Sequence, residues 1–222
     1  MDWPAFALSL RLGALTVLIL LPLGVLVGRH LAFRQFRGKG FAQAVLALPL
    51  VLPPTVLGYY LLVAFGASSA LGQAWQAAVG HALVFSFEGL LVASVIVNVP
   101  FAIQPMQRGF ESISPDVREA AACSGLAPWR VFWMIDLPLA WPGIVTGLIL
   151  AFAHTLGEFG VVLMVGGSIP GETKTVAIAI YDRVQAFDNR AAGVMSAVLL
   201  LFSFAALGIT YILSSRIGRR HG

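Results

Sequence analysis

Five long apolar runs limit what this chain can fold into. Residues 12–28, 41–66, 89–107 and 191–215 carry no charged side chain, and residues 139–165 carry only Glu158. Phe85 can extend the third run. A helix needs about 20 apolar residues to cross the hydrocarbon of a bilayer. Only 11% of the chain is charged, against about 25% in soluble domains, so no single soluble core can hide this much apolar surface. The runs do not alternate, which excludes barrel strands. No tandem repeat or long linker divides the sequence. The reading is an all-α integral membrane protein of about five transmembrane helices, one domain over residues 1–222.

Lysine and arginine set the expected orientation. The first connection, GRHLAFRQFRGKG, holds Arg29, Arg34, Arg37 and Lys39. The tail holds Arg216, Arg219 and Arg220, and the connection between the third and fourth spans adds Arg108, Arg118 and Arg130. Five crossings put these ten of the fourteen basic residues on one face. That face is the cytoplasm, with the N-terminus outside and the C-terminus inside. The basic residues flank apolar runs, so the net charge of +4 is an orientation signal and implies no nucleic-acid partner. The first run lacks a basic leader and a small-residue cleavage site, which predicts an uncleaved helix. The single cysteine, Cys123, excludes an internal disulfide. Residues 67–84 form a short outer loop that can hold an interfacial helix, with Trp75 at headgroup depth.

Between the third and fourth spans lies EAAACSGLAPWRVFWMIDLP, residues 119–138. Ser114-Pro115-Asp116 is a helix start, since serine caps, proline fits the first turn and aspartate suits the positive end of the dipole. Residues 117–124 read as helix, Gly125 as the left-handed stop, and Pro128 as the start of a second helix over 128–134 that Pro138 ends. Trp129, Phe132 and Trp133 are expected to anchor this elbow on the membrane helices. By these residues alone it is either a docking elbow or an amphipathic interfacial loop.

The spacing Glu119-Ala120-Ala121, Gly125, then Ile135-x-Leu137-Pro138 resembles the EAA loop of ABC importer permeases. LPLVLPPTVLGYYLLV at 48–63, LGEFG at 156–160 and IPGETKTVAIAIYDRVQ at 169–185 are similar to molybdate permeases within that family, and sulfate permeases share the general plan. The family often has arginine where His154 stands. The resemblance implies that Glu119, Ala120, Ala121, Gly125, Leu137 and Pro138 couple the chain to a separate ATPase. It further implies a homodimer, two ATPase subunits at the cytoplasmic face, an external molybdate-binding protein and a bacterial inner (cytoplasmic) membrane. Tungstate or sulfate is the alternative cargo, and a passive anion channel the alternative mode. No G-x-x-x-x-G-K-[ST] loop occurs, so no cofactor is expected in this chain, and ATP and magnesium belong to the partner.

Several residues inside the spans are candidates for the permeation pathway or gate. Pro53 and Pro54 break the helical ladder of the second span, either along the path or as a packing kink. Asn98, Gln104 and Gln107 are neutral donors that can solvate a doubly charged oxyanion without trapping it, or bond neighbouring helices. Glu158 is an ionisable group at membrane depth and would repel an anion, so it is expected to be neutral or paired with His154 or a loop backbone. Gly157 and Gly160 permit bending or close approach. Gly143-x-x-x-Gly147 and Gly24-x-x-x-Gly28 are small-residue faces. Beyond the fourth span, residues 176–184 can form a short helix, and Lys174, Arg183 and Arg190 either belong to a solvated loop or meet an acidic docking surface or the anion. The four histidines are scattered and no H-E-x-x-H set exists, which argues against a metal site or an enzyme.

Overall fold

The computed structural model describes residues 1–218, and Arg219 and Arg220 of the basic tail lie outside them. The described residues are helical with short connections, and no strand occurs among them. The first helix, α1 (Trp3–Phe33), starts where the Asp2 carboxylate accepts the Ala5 N–H at 3.1 Å. The second apolar run divides into α2 (Lys39–Val51) and α3 (Pro54–Phe65), which meet at 107°. Pro54 opens α3, and neither proline can donate to the preceding turn. A short helix, α4 (Ala70–Val79), follows in the expected outer loop. Ser69 caps it, and its Trp75 packs against the cluster formed by Leu61, Phe65 and Val161. The third run is α5 (Phe87–Glu111), capped by Ser86.

The elbow holds α6 (Pro115–Cys123) and α7 (Pro128–Val131). Residues Phe132–Asp136 then form a π-helical segment that leads directly into α8 (Leu137–Gly157). The chain is thus helical from Pro128 to Gly157, and Pro138 does not end the second elbow helix as the sequence suggested. The wider π turn, in which the Leu137 N–H reaches the Phe132 carbonyl, accommodates a proline that would break a regular turn. The fourth apolar run is likewise not one helix. It breaks at Glu158–Phe159 and resumes as α9 (Gly160–Gly166). The last elements are α10 (Val176–Gln185) and α11 (Asn189–Gly218).

Three helices, α1, α5 and the one ending in α8, are each long and apolar enough to cross a membrane, and the bent α2–α3 pair makes a fourth candidate. The central core lies where α1, α5 and α8 meet, at Leu20, Met106, Phe110, Ile144 and Ala151. Lipid tails are as apolar as these side chains, so helix association depends on close van der Waals fit. Gly147 supplies it, because a Cβ there would sit 2.6 Å from the Ala102 carbonyl oxygen. Gly143 lies just as close to Gly109 across the same crossing. On α1, Gly24 and Gly28 face Met106 and Gln107 of α5.

Candidate functional site

The elbow is built as a turn with its own closure. The Ser114 hydroxyl accepts the Asp116 N–H at 3.3 Å at the start of α6. At the other end Gly125 takes φ +69°, a conformation that L residues with a side chain disfavour. The Leu126 N–H then reaches back to the Ala121 carbonyl at 3.4 Å, the six-to-one bond of a Schellman stop. Nothing surrounds Gly125 within 4 Å, so the glycine serves the backbone turn and not a packing constraint. Glu119 and Ala120 are exposed, whereas Ala121 is buried. Leu137 and Pro138 sit in the first turn of α8. Trp129 and Trp133 do not anchor the elbow on the membrane helices as expected. They are 63% and 60% exposed, and of the three aromatic residues Phe132 packs on the central core.

What holds the elbow to the bundle was missed in the sequence reading. Asp136, fully buried, accepts from Arg29 Nε at 2.8 Å and Nη2 at 2.7 Å, and Arg118 Nε lies 3.4 Å from its other oxygen. The available signal was an acidic residue beside an apolar run, with basic residues predicted on the same face.

A second cluster lies deep in the bundle. Asn98, fully buried, donates from Nδ2 to the Ser94 carbonyl at 2.8 Å and to the Thr155 hydroxyl at 3.1 Å. Its Oδ1 therefore faces His154 Nδ1, 3.1 Å away, and the imidazole must be the donor there. The His154 ring stacks on Phe101 with centroids 4.0 Å apart. Its Nε2 lies 3.7 Å from Glu158 Oε2, while Glu158 Oε1 accepts the Val161 N–H at 3.0 Å. The carboxylate is thus held through Oε1 and mostly buried, while Oε2 only approaches the imidazole. Thr16 extends the network onto α1 through Ser94 at 3.0 Å. Thr16, Ser94 and Thr155 were missed, since isolated hydroxyls in apolar runs are common and usually bond their own backbone.

The two helix breaks meet. A Cβ on Gly160, at the start of α9, would lie 2.8 Å from the Pro54 Cβ at the start of α3. Gly58 of α3 approaches Met164 of α9 equally closely. Pro53, Pro54, Glu158 and Gly160 therefore form one junction, whereas Gly157 faces open space. Gln104 lies elsewhere. It lines a cavity of about 600 Å³ between α2, α5 and α8, with Leu50, Phe101, Arg108 and Thr146. A second cavity of about 370 Å³ shares Gln104 and Arg108. Gln107 also lines this second cavity, and its amide donates to Glu111 at 2.7 Å on the same helix. On the α10 side, Lys174 pairs with Asp182 at 2.6 Å and Arg183 with Asp188 at 3.5 Å. Neither cation is free to meet an anion in this state.

Residues 21–219 match the family described as "Binding-protein-dependent transport system inner membrane component". The chain is 47% identical to the molybdenum transport system permease protein ModB of Azotobacter vinelandii, over 95% of this chain and 93% of that one. It is 36% identical to the protein of the same name from Escherichia coli K12, over 98% and 94%. The sulfate transport system permease protein CysT of Escherichia coli K12 is 32% identical over 89% and 71%. Among solved structures, a bacterial ABC transporter that imports alginate has a TM-score of 0.71 at 17% identity, covering 98% of this chain and 78% of that one. The inward-facing MetNI methionine ABC transporter has a TM-score of 0.66 at 17% identity, covering 96% and 94%. At such identities the two structures establish a shared fold. With a family match across most of its length, this chain belongs to the binding-protein-dependent transport system inner membrane components, a membrane subunit of a transporter and not an enzyme.

Proposed function

We propose that this chain is the permease subunit of an ATP-driven importer that moves molybdate across the bacterial inner membrane. The observation that carries the coupling is the elbow. Its turn is closed at Gly125, its Glu119 and Ala120 are presented outward, and its far end runs without interruption into α8. A push on α6 and α7 thereby reaches a membrane helix as a rigid-body motion. The cargo assignment rests on the relatives named for molybdenum transport at 47% and 36% identity. The Gln104–Arg108 cavity suits it, since a neutral donor and a guanidinium can replace water around an oxyanion.

In this reading α11 completes five crossings, with the N-terminus outside and the elbow in the cytoplasm. Two copies pair, and two ATPase subunits dock on the elbows while a molybdate-binding protein delivers cargo from outside. The helix α2 buries none of its residues within the chain, as suits a face awaiting a second copy. ATP and magnesium stay on the ATPase.

Uptake of labelled molybdate in a strain lacking the chain, restored by its expression and challenged with tungstate and sulfate, tests the reading. Restored, energy-dependent uptake that excess sulfate does not suppress is expected. Sulfate uptake with no molybdate uptake would favour the second reading, which the 32% identical sulfate permease supports. Uptake without a bound ATPase would mark a passive channel.

A further inference from the structure

A carboxylate with no solvent access needs compensating charge or hydrogen bonds, because desolvation penalises it heavily. Asp136 has two arginines for this, and they are not equivalent. Arg29, near the end of α1, gives two short contacts to Oδ2 at 2.8 and 2.7 Å. Arg118, on α6, comes within 3.4 Å of Oδ1, yet neither its Nε nor that oxygen has a hydrogen-bond partner, although both are buried. The Arg118 guanidinium instead rests on the Phe33 ring, 3.6 Å from its centroid. Arg29 is hydrogen-bonded to Asp136, whereas Arg118 forms an ion pair with it without a hydrogen bond.

The location gives this a consequence. Arg118 directly precedes Glu119 at the outward tip of the elbow. Asp136 lies in the π segment joining the elbow to α8, and Arg29 sits in the last turns of α1. Residues three apart on a regular helix share a face, but Trp133 is 60% exposed while Asp136 is fully buried. The π turn thereby aims Asp136 at α1 and leaves the tryptophans outside. Such turns concentrate where a helix has work beyond packing.

We propose that Asp136 is the positioning residue that carries elbow motion into the bundle, holding α1 through Arg29 in all states and gaining or losing a hydrogen bond from Arg118 as α6 moves. This rests on the proposed coupling to an ATPase. The short Arg29 contacts make α1 and α8 move together. Arg118 lies between the Phe33 ring at 3.6 Å and Oδ1 at 3.4 Å, so a small shift of α6 suffices to make or lose that hydrogen bond.

The test uses the chain reconstituted in proteoliposomes with its ATPase and binding protein. ATP hydrolysed per molybdate imported is measured alongside assembly by size exclusion. Arg118→Gln leaves the Arg29–Asp136 contact intact. It should assemble and hydrolyse ATP as the wild type does, yet import about tenfold less per ATP. Asp136→Asn should raise the same ratio, and Asp136→Glu should restore most of it. Unchanged ratios in Arg118→Gln and Asp136→Asn would overturn the inference, as would a proportional fall of hydrolysis and import in Arg118→Gln. If Asp136→Asn does not assemble, the Arg118→Gln ratio still decides. Failure of the wild type to bind an ATPase would sink the coupling reading itself, whereas a coupled wild type with indifferent variants sinks only this assignment.

Discussion

Gly125 and Glu158 illustrate two ways in which one residue serves such a protein. At Gly125 the need is for backbone conformation alone, with φ +69° and open space around it. Gly125→Val imposes a left-handed conformation on a β-branched residue, at a cost of about 1–2 kcal/mol. Because the cost falls on an exposed turn, the membrane helices should assemble normally while ATPase docking and uptake fall together. Normal ATPase stimulation and uptake in the purified variant would contradict the elbow's role. At Glu158 the need is for hydrogen bonding. Its Oε1 holds the Val161 N–H at the start of α9, and Oε2 faces His154. Glu158→Gln keeps an acceptor for Val161, so uptake should drop only mildly. Glu158→Ala leaves that buried N–H unpaired, costing about 1–3 kcal/mol, and should reduce assembly or transport further. Efflux of preloaded molybdate from proteoliposomes without ATP provides the check. A large leak in a well-assembled Glu158→Gln protein would make the carboxylate an electrostatic gate and refute its structural role.

At the scale of helices, the α5–α8 crossing depends on absent side chains. Gly143 and Gly147 of α8 meet Gly109 and the Ala102 carbonyl of α5 so closely that a Cβ at Gly147 would lie 2.6 Å from that oxygen. Gly147→Leu must push the helices apart, and overpacking of this kind costs about 1–3 kcal/mol. The variant should accumulate to a lower level and melt earlier in detergent, whereas Gly193→Ala on α11, with nothing within 4 Å, should behave as wild type. Equal thermal stability of the two variants would argue against the crossing. The small-residue spacing of these glycines was visible in the sequence, but which helix they faced was not. The start of the elbow helix was also legible, because Ser114 and Pro115 act within one turn. The π segment was not, since its cause, the placement of Asp136 against α1, is a contact 107 residues apart in sequence.

For the whole molecule, orientation is the property to test. Reporters fused after Arg37 and at Glu119 should be cytoplasmic, and those near Ser69 and at Asp182 external. An external reporter at Glu119 would remove the proposed coupling altogether, because the ATPase could not reach the elbow.

The sequence by itself determined the class, the positions of the apolar runs, the elbow with its glycine stop, and the proline break in the second run. Each is a local property, fixed by hydrocarbon length, by the missing N–H of proline, or by the left-handed freedom of glycine. It also marked Glu158 as needing a partner, because charge at membrane depth is costly whatever the fold. Only the tertiary structure decided which partner each polar group takes. It paired Lys174 with Asp182, seated Asp136 between two arginines, and brought the break at Pro54 against the break before Gly160. Those contacts join residues far apart in the chain, and their geometry depends on how closely helices approach, which local pattern does not encode.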